Sequence, residues 1–583
     1  MTYRPDKSST KSYLKWIVPA SLLAICCALY LENLGSPYIT EWDEAVQVNV
    51  VQNLAAHCCQ PYLHRSAALA GLNGAPAVSG FESLRHQERQ LRLGTDYRDW
   101  TNNTVWLHKP LLPFYFAAAT FKLAGGSLWG LRLSGAIFAL LNAAVVYLIG
   151  RRFLSNTVGL FALAIFGLNP YVDQLVHGQT FSGFPDLALS CAVSAAMYCV
   201  LHWTRYRSTA ALRWLGVAVA IGYLSKGGLA LGPFAIFAVI TILAGTYRDF
   251  LPILQSLGIF ATLVIPVQLY WRARQPVVIS YESRMQMLHL FQVIEGHRGP
   301  WVHYIAAFLP AMLTLPLIPI AYFSVGWALF HFKRTDTEFI LGIWILVYLI
   351  PLSFAANKID NFIFALLPAF ALLAPRVLES LFRNRRFDLI VALCFTSLAM
   401  FFVMRIGRNL AHPGAFGLLV AAPVLFVAVV LLSRWKPASE VLTLSVLAFT
   451  GGALLLLYVH RDVYDNTAKA PDFAAQAALR DTGLILRPLV GENSLIIAHN
   501  QPVDLSYLYL MYWSGADVLD ICREPDPFLA LWALRNTNGL YLLTVRQLPE
   551  GPLAKTPTGA LYSLKNLPYQ DWSKTAASDC PAR

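Results

Sequence analysis

The chain has 583 residues, of which 56% are hydrophobic and only 13% charged, and its mean hydropathy is +0.51. A soluble surface needs roughly twice that charge, so an ordinary soluble enzyme is excluded. The formal net charge of +12 comes with no RNA- or DNA-binding pattern. Lys and Arg fall instead on short turns between apolar runs, where the positive-inside bias and anionic headgroups place them. Membrane lipids are expected partners and nucleic acid is not.

The first apolar run, residues 16–31, follows Arg4, Lys7, Lys11 and Lys15. A signal peptide has the same layout, but no small-residue cleavage site follows, so the run is read as a retained helix. Similar runs recur to Val459, and about 20 apolar residues cross the hydrocarbon core. The predicted spans are 16–32, 128–150, 156–174, 184–203, 210–224, 228–246, 252–271, 303–331, 338–355, 361–380, 387–404, 415–433 and 438–459, about 13 in all. With a cytoplasmic N-terminus, Arg151-Arg152, Arg205 with Arg207, Arg248, Lys333-Arg334, Arg383 to Arg386 and Arg434 with Lys436 are all cytoplasmic. The odd count leaves the tail outside. Residues 111–124, between Lys109-Pro110 and Gly125-Gly126, are too short to span and read as a juxtamembrane or re-entrant helix. Counting them as a span would invert every later basic turn.

The expected fold class is an α-helical polytopic membrane protein with a small C-terminal α/β soluble domain. Residues 1–460 form the membrane module, with a long outer loop over 33–112, and 461–583 form the soluble domain. Further polar outer turns are expected over 169–186 and 272–301. In the tail, Ser494 to His499 and Gly539 to Val545 read as strands, with a helix-like stretch over 527–535. The expected location is a bacterial inner membrane, with the N-terminus cytoplasmic and the C-terminal domain periplasmic. The nine cysteines form no CxxC pattern. Cys26, Cys27, Cys191, Cys199 and Cys394 lie in apolar runs, and Cys58, Cys59, Cys522 and Cys580 in polar regions; sequence alone does not pair Cys522 with Cys580.

The first outer loop opens with Glu41-Trp42-Asp43-Glu44. A carboxylate at the membrane interface can take a proton from a hydroxyl; the plainer reading is a solvated loop start that begins a helix. His108-Lys109-Pro110-Leu111 follows. A Lys at headgroup level suits a lipid phosphate, although snorkelling explains it as well. Asp186, after Phe184-Pro185, enters an apolar segment, where an acid is costly unless partnered; its alternative is an acid meeting a helix dipole. Lys226 and Lys358 sit on other outer turns, and 272–301 offers Glu282, His289, Glu295, His297 and Arg298. Scattered His and Glu at these spacings are weak evidence for metal. No Walker loop, GxGxxG, HExxH or GxSxG is present, so soluble-nucleotide and hydrolase chemistry lacks support.

In order, these segments resemble the GT-C glycosyltransferases, and among them the branch of aminoarabinose lipid A transferases and protein O-mannosyltransferase-like enzymes. Trp42-Asp43-Glu44 resembles that family's acidic motif and His108-Lys109-Pro110-Leu111 its Glu-Lys-Pro segment. Gly130-Leu131-Arg132-Leu133-Ser134, Pro185-Asp186, Leu224-Ser225-Lys226-Gly227 and Asn357-Lys358 resemble further stretches. The resemblance covers about residues 16–460. It implies Asp43 as catalytic base beside Glu44, Asp186 as a second acidic site residue, and Lys109 as donor-phosphate ligand helped by Lys226, Lys358 and Arg298. It implies a polyprenyl-phosphate sugar donor, a lipid A, envelope glycan or protein acceptor, and inversion at the anomeric carbon. His108 stands where the family commonly has Glu, and Leu288-His289 where it often has Glu-His. His108 and His289 are therefore the candidate ligands of a divalent ion such as zinc, magnesium or manganese, with the metal itself in question. A lipid or solute transporter is the rival class; it predicts paired half-helices and a midplane site, neither of which the sequence carries. A non-catalytic assembly protein is the third.

Overall fold

The computed structural model describes residues 10–39, 41–63, 105–246, 250–293, 297–305, 318–384, 470–491, 494–499, 506–520 and 539–565, with the isolated positions 312, 450, 454 and 457. The predicted spans 387–404 and 415–433, most of 438–459, most of the first outer loop, the stretch 527–535, Glu295, Cys394, Cys522 and Cys580 lie outside the described residues.

The helices, in chain order, are α1 (Thr10–Leu31), α2 (Trp42–Ala56), α3 (Leu112–Leu123), α4 (Leu128–Ile149), α5 (Asn156–Gly167), α6 (Pro170–Val176), α7 (Phe184–Tyr206), α8 (Thr209–Lys226), α9 (Gly232–Ala244), α10 (Phe250–Arg274), α11 (Pro276–Phe291), α12 (Ile318–His331), α13 (Thr337–Phe354), α14 (Leu367–Arg383), α15 (Ala470–Leu486) and α16 (Ser506–Ser514). The strands are β1 (Leu495–Ala498), β2 (Asp517–Asp520), β3 (Leu540–Thr544), β4 (Ala554–Thr556) and β5 (Gly559–Ser563). The chain divides into two compact units. The first holds residues 1–34, 132–177 and 182–463; the second holds 35–131, 178–181 and 464–583.

The first unit is helical. Among the described residues of the chain, six helical stretches are long and apolar enough to cross a membrane: 128–154, 184–206, 209–244, 252–274, 337–354 and 361–383. The expected span over 156–174 is instead two helices, α5 and α6, bent by 52°. The break has a local cause. Pro170 occupies the first turn of α6, and the Asn169 side chain accepts from the Tyr171 N–H at 2.9 Å, starting a new helix in a new direction. The stretch 209–244 turns at Gly227, whose φ of 74° suits glycine, and Ala230 then lies against Gly222. Of the two expected polar turns, 169–186 contains α6 and 272–301 contains the 16-residue α11, started by Pro276.

Helices in hydrocarbon associate through close packing and interhelical hydrogen bonds. Gly150 and Gly159 let α4 and α5 approach so closely that a Cβ on Gly150 would sit 2.5 Å from the Gly159 Cα. Asn142 donates to Ser190 Oγ at 2.8 Å, joining α4 to α7, and Ser256 donates to the Leu212 carbonyl at 2.6 Å, joining α10 to α8. Such bonds are worth roughly 0.6 kcal/mol each on average.

The unit has two chemically different ends. At one, the start of α7, the end of α8 and the stretch after α13 bring Asp186, Lys226 and Asn361 together. At the other, Arg205 donates to the Phe153 carbonyl at 3.4 Å and Ser155 to Glu379 at 3.1 Å. There Arg376 bridges Glu338 (2.6 Å) and Glu379 (3.1 Å), and Arg334 donates to the Leu243 carbonyl. The described basic turns at Arg151-Arg152, Arg205, Arg334 and Arg383 therefore share one end.

The second unit joins α2, α3, α15 and α16 to a five-stranded sheet of order β2-β1-β3-β5-β4. Strands β2, β1 and β3 are parallel, and β3, β5 and β4 antiparallel. Central β1, Leu-Ile-Ile-Ala, is buried along its whole length, as a strand covered on both faces must be. The tail and the first outer loop are stitched together. Asn49 donates to the Leu508 carbonyl at 3.0 Å, the Ile39 N–H to Gln476 at 3.2 Å, and Tyr38 stacks on Phe473 with centroids 4.2 Å apart.

Candidate active site

An acid–lysine pair stands among the described residues of each unit. In the second unit Asp43 lies in the first turn of α2, where a carboxylate meets the positive end of the helix dipole. Lys109 sits on the short segment before α3, which begins with Pro113 in its first turn. Lys109 Nζ donates to Asp43 Oδ1 at 2.5 Å, with the two side chains 13% and 17% exposed. The segment is held from beneath. Trp106, almost wholly buried, packs on Phe114 with centroids 4.7 Å apart, and its backbone N–H donates to the Pro61 carbonyl at 2.7 Å. His108 is half-exposed and meets the edge of Trp106.

Glu44 is placed differently from its neighbour. It is buried, and its carboxylate lies directly over Gly178, whose φ is 66°. Any Cβ at position 178 would collide with it. This is a packing contact that fixes the start of α2.

In the first unit Asp186 is 1% exposed at the start of α7, and Lys226, the last residue of α8, donates to it. Lys226 also donates to Ser182 Oγ at 3.1 Å, and Asn361 donates to the second Asp186 oxygen at 3.5 Å. A buried ion pair survives desolvation only when its remaining lone pairs and protons are met, and Ser182 and Asn361 contribute to that here. Ser182 sits at φ 75° and Gly183 at φ 60°. A serine in the left-handed region is costly, and this one is held where its hydroxyl reaches Lys226. Sequence reasoning missed both partners: Ser182-Gly183 before Phe-Pro-Asp was a readable helix-start signal, whereas Asn361 carried none.

Lys358 and Arg298 form a separate group. Arg298 bridges Asn357 in antiparallel fashion, and the Lys358 N–H donates to the His297 carbonyl at 2.9 Å. Buried Lys358 turns its ammonium onto the carbonyls of Ser353 (2.6 Å), Ala355 (2.5 Å) and Leu352 (3.4 Å) at the end of α13. Three protons meet three carbonyls, the job of a helix C-cap, and burial lowers the lysine pKa. A phosphate would have to displace those contacts; Arg298 is exposed.

His289 Nδ1 donates to the Met285 carbonyl in its own helix at 2.7 Å. Among the described residues, no three His, Cys, Asp or Glu side chains converge as a metal-holding group, so the described side chains do not fit a resident metal.

A second buried polar knot lies just beyond α6. His177 Nδ1 is 2.8 Å from the Asp173 carbonyl and 3.4 Å from its carboxylate, and Nε2 is 2.9 Å from the Glu32 carbonyl. Both ring nitrogens face oxygens that only accept, so these surroundings favour the doubly protonated ring. Burial opposes that charge, but the bond and charge of Asp173 outweigh it and raise the pKa.

Residues 108–271 match the family model of dolichyl-phosphate-mannose-protein mannosyltransferases. Among curated proteins, the chain is 26% identical over 292 residues to an undecaprenyl phosphate-α-4-amino-4-deoxy-L-arabinose arabinosyl transferase of Pseudomonas savastanoi, covering 48% of the chain and 53% of the relative. It is 28% identical over 290 residues to one of two such transferases of Sodalis glossinidius, covering 47% of each. The chain thus spans about half the length of the curated relatives it matches. The structure is similar to the crystal structure of ArnT from Cupriavidus metallidurans bound to undecaprenyl phosphate, with a TM-score of 0.65 at 14% identity, covering 96% of this chain and all of that one. The apo form of the same protein matches with the same score. The fold is shared across nearly the whole chain.

Proposed function

We propose that the protein is a membrane glycosyltransferase that moves a sugar from a polyprenyl monophosphate to an envelope acceptor outside the cytoplasm. The observation that carries this reading is the Asp43–Lys109 pair, a carboxylate and an ammonium in direct contact and open to solvent on one side. A phosphate-linked sugar needs both groups. Lys109 takes the donor phosphate and, in doing so, leaves Asp43, whose freed carboxylate becomes the base. The acceptor hydroxyl oxygen then bonds to the anomeric carbon, the bond from that carbon to the phosphate oxygen breaks, polyprenyl phosphate departs, and the hydroxyl proton passes to Asp43. Attack opposite the leaving group inverts the anomeric centre.

The undecaprenyl-phosphate aminoarabinose transferases to which the chain is similar favour a pentose donor of that kind. Lipid A or another envelope glycolipid is the leading acceptor, ahead of glycan or protein. In this reading the arginine-rich end of the first unit is the cytoplasmic side, the Asp186 end lies outside, and residues 461–583 are the periplasmic tail of an inner-membrane protein. Purified protein incubated with undecaprenyl-phosphate aminoarabinose and lipid A should yield modified lipid A. No transfer to any acceptor, with the donor left intact, would overturn the reading.

A further inference from the structure

The first unit holds a cavity of about 510 Å³ at its arginine-rich end, far from the acid–lysine pair of that unit along every helix that links them. One part of its wall is apolar, from Leu243 at the end of α9, Leu329 and Phe332 around the end of α12, and Phe339 at the start of α13; Lys333, Arg334 and Thr335 make the other part polar, in about equal measure. Both cations are exposed. Arg334 donates to the Leu243 carbonyl. The nearest acid in sequence, Asp336, uses its carboxylate to accept the Lys333 backbone N–H at 2.9 Å, and Glu338 is taken by Arg376. Among the described residues, neither Lys333 nor Arg334 is ion-paired with a carboxylate.

Two cations with no carboxylate partner among the described residues, beside a half-apolar hollow, call for a ligand with an anionic head and a hydrocarbon body. We propose that this cavity binds an anionic glycerophospholipid, its phosphate on Lys333 and Arg334 and its first acyl methylenes against Leu329 and Phe332. A free phosphate would satisfy the cations but leave the walls bare, whereas a zwitterionic lipid would fill the walls and leave net positive charge. The site lies outside the sugar-transfer machinery and does not depend on the proposed function.

The test uses the full chain in detergent, stripped of lipid. Native mass spectrometry would compare phosphatidylglycerol with phosphatidylcholine of the same chains, and thermal stability would be followed with each lipid and with inorganic phosphate. At about fivefold per cation, phosphatidylglycerol should bind roughly 25-fold more tightly than phosphatidylcholine. Lys333→Gln with Arg334→Gln should erase that preference. Leu329→Trp, which keeps both charges and fills the hollow, should weaken phosphatidylglycerol binding several-fold, so the idea stays testable even if the double variant folds poorly. Equal binding of the two lipids by the unaltered protein, undiminished phosphatidylglycerol binding in either variant, or stabilisation by inorganic phosphate as large as by the lipid would each overturn it.

Discussion

The two acid–lysine pairs use the same residue types to opposite ends. Asp43 and Lys109 meet with 13–17% of their side chains exposed, on a helix start and a short loop. Asp186 and Lys226 are nearly sealed, and Ser182 and Asn361 add further hydrogen bonds. A partly exposed pair costs little to open, because water replaces each partner. A buried pair cannot be opened without leaving an uncompensated charge. The first arrangement suits groups that exchange partners during a reaction; the second suits groups that hold their surroundings in place.

Breaking the pairs one residue at a time should separate those roles. The largest effect is expected for Asp43→Asn: transfer should fall by about 10²–10⁴-fold, the usual worth of a general base, with expression and thermal stability unchanged. An active variant would remove the base assignment. Asp186→Ala should act first on folding, costing roughly 3–5 kcal/mol because Lys226 is left charged and buried; a thermal midpoint equal to that of the unaltered protein would contradict the structural role. Lys109→Ala should raise the KM for donor by about 10–100-fold, the worth of a charge-assisted hydrogen bond of ~1.5–3 kcal/mol, with little change in stability. Ser182→Ala should cost only about 1 kcal/mol, read as a small drop in thermal midpoint, while Ser182→Gly should lose less because it also relieves the backbone.

The smallest effect concerns pH. The folded pKa of His177 lies above its ordinary 6.5, so the stability it contributes is fully present below about pH 6.5 and is lost as the pH rises through the folded value. Thermal stability should therefore decline on the alkaline side of 6.5, and His177→Gln should flatten that part of the profile. An unchanged profile would mean that the ring is not the titrating group.

Much of the fold was legible because a bilayer imposes length and polarity on each segment. The runs at 184–203, 338–355 and 361–380 reappear almost residue for residue as helices, and so do the two strands read in the tail. The bend at Asn169-Pro170 and the helix within 272–301 were missed because a seven-residue helix and a half-polar helix carry weak hydropathy signals. In the site, Asp43, Lys109, Asp186 and Lys226 were all singled out, since an ionisable group beside an apolar run stands out. Which acid meets which lysine was not readable.

The sequence by itself determined the membrane class, the basic turns that share one end, and the four ionisable residues that the structure joins in two pairs. Each follows from composition within a window of some twenty residues, the scale on which transfer from water to hydrocarbon acts. Only the tertiary structure decided the pairings: Lys109 with Asp43 across 66 residues, Lys226 with Asp186 across 40, and Lys358 spent on the end of the helix before it. Contact energies fall off within a few ångströms, and chain separation says nothing about which groups come that close until the helices are packed.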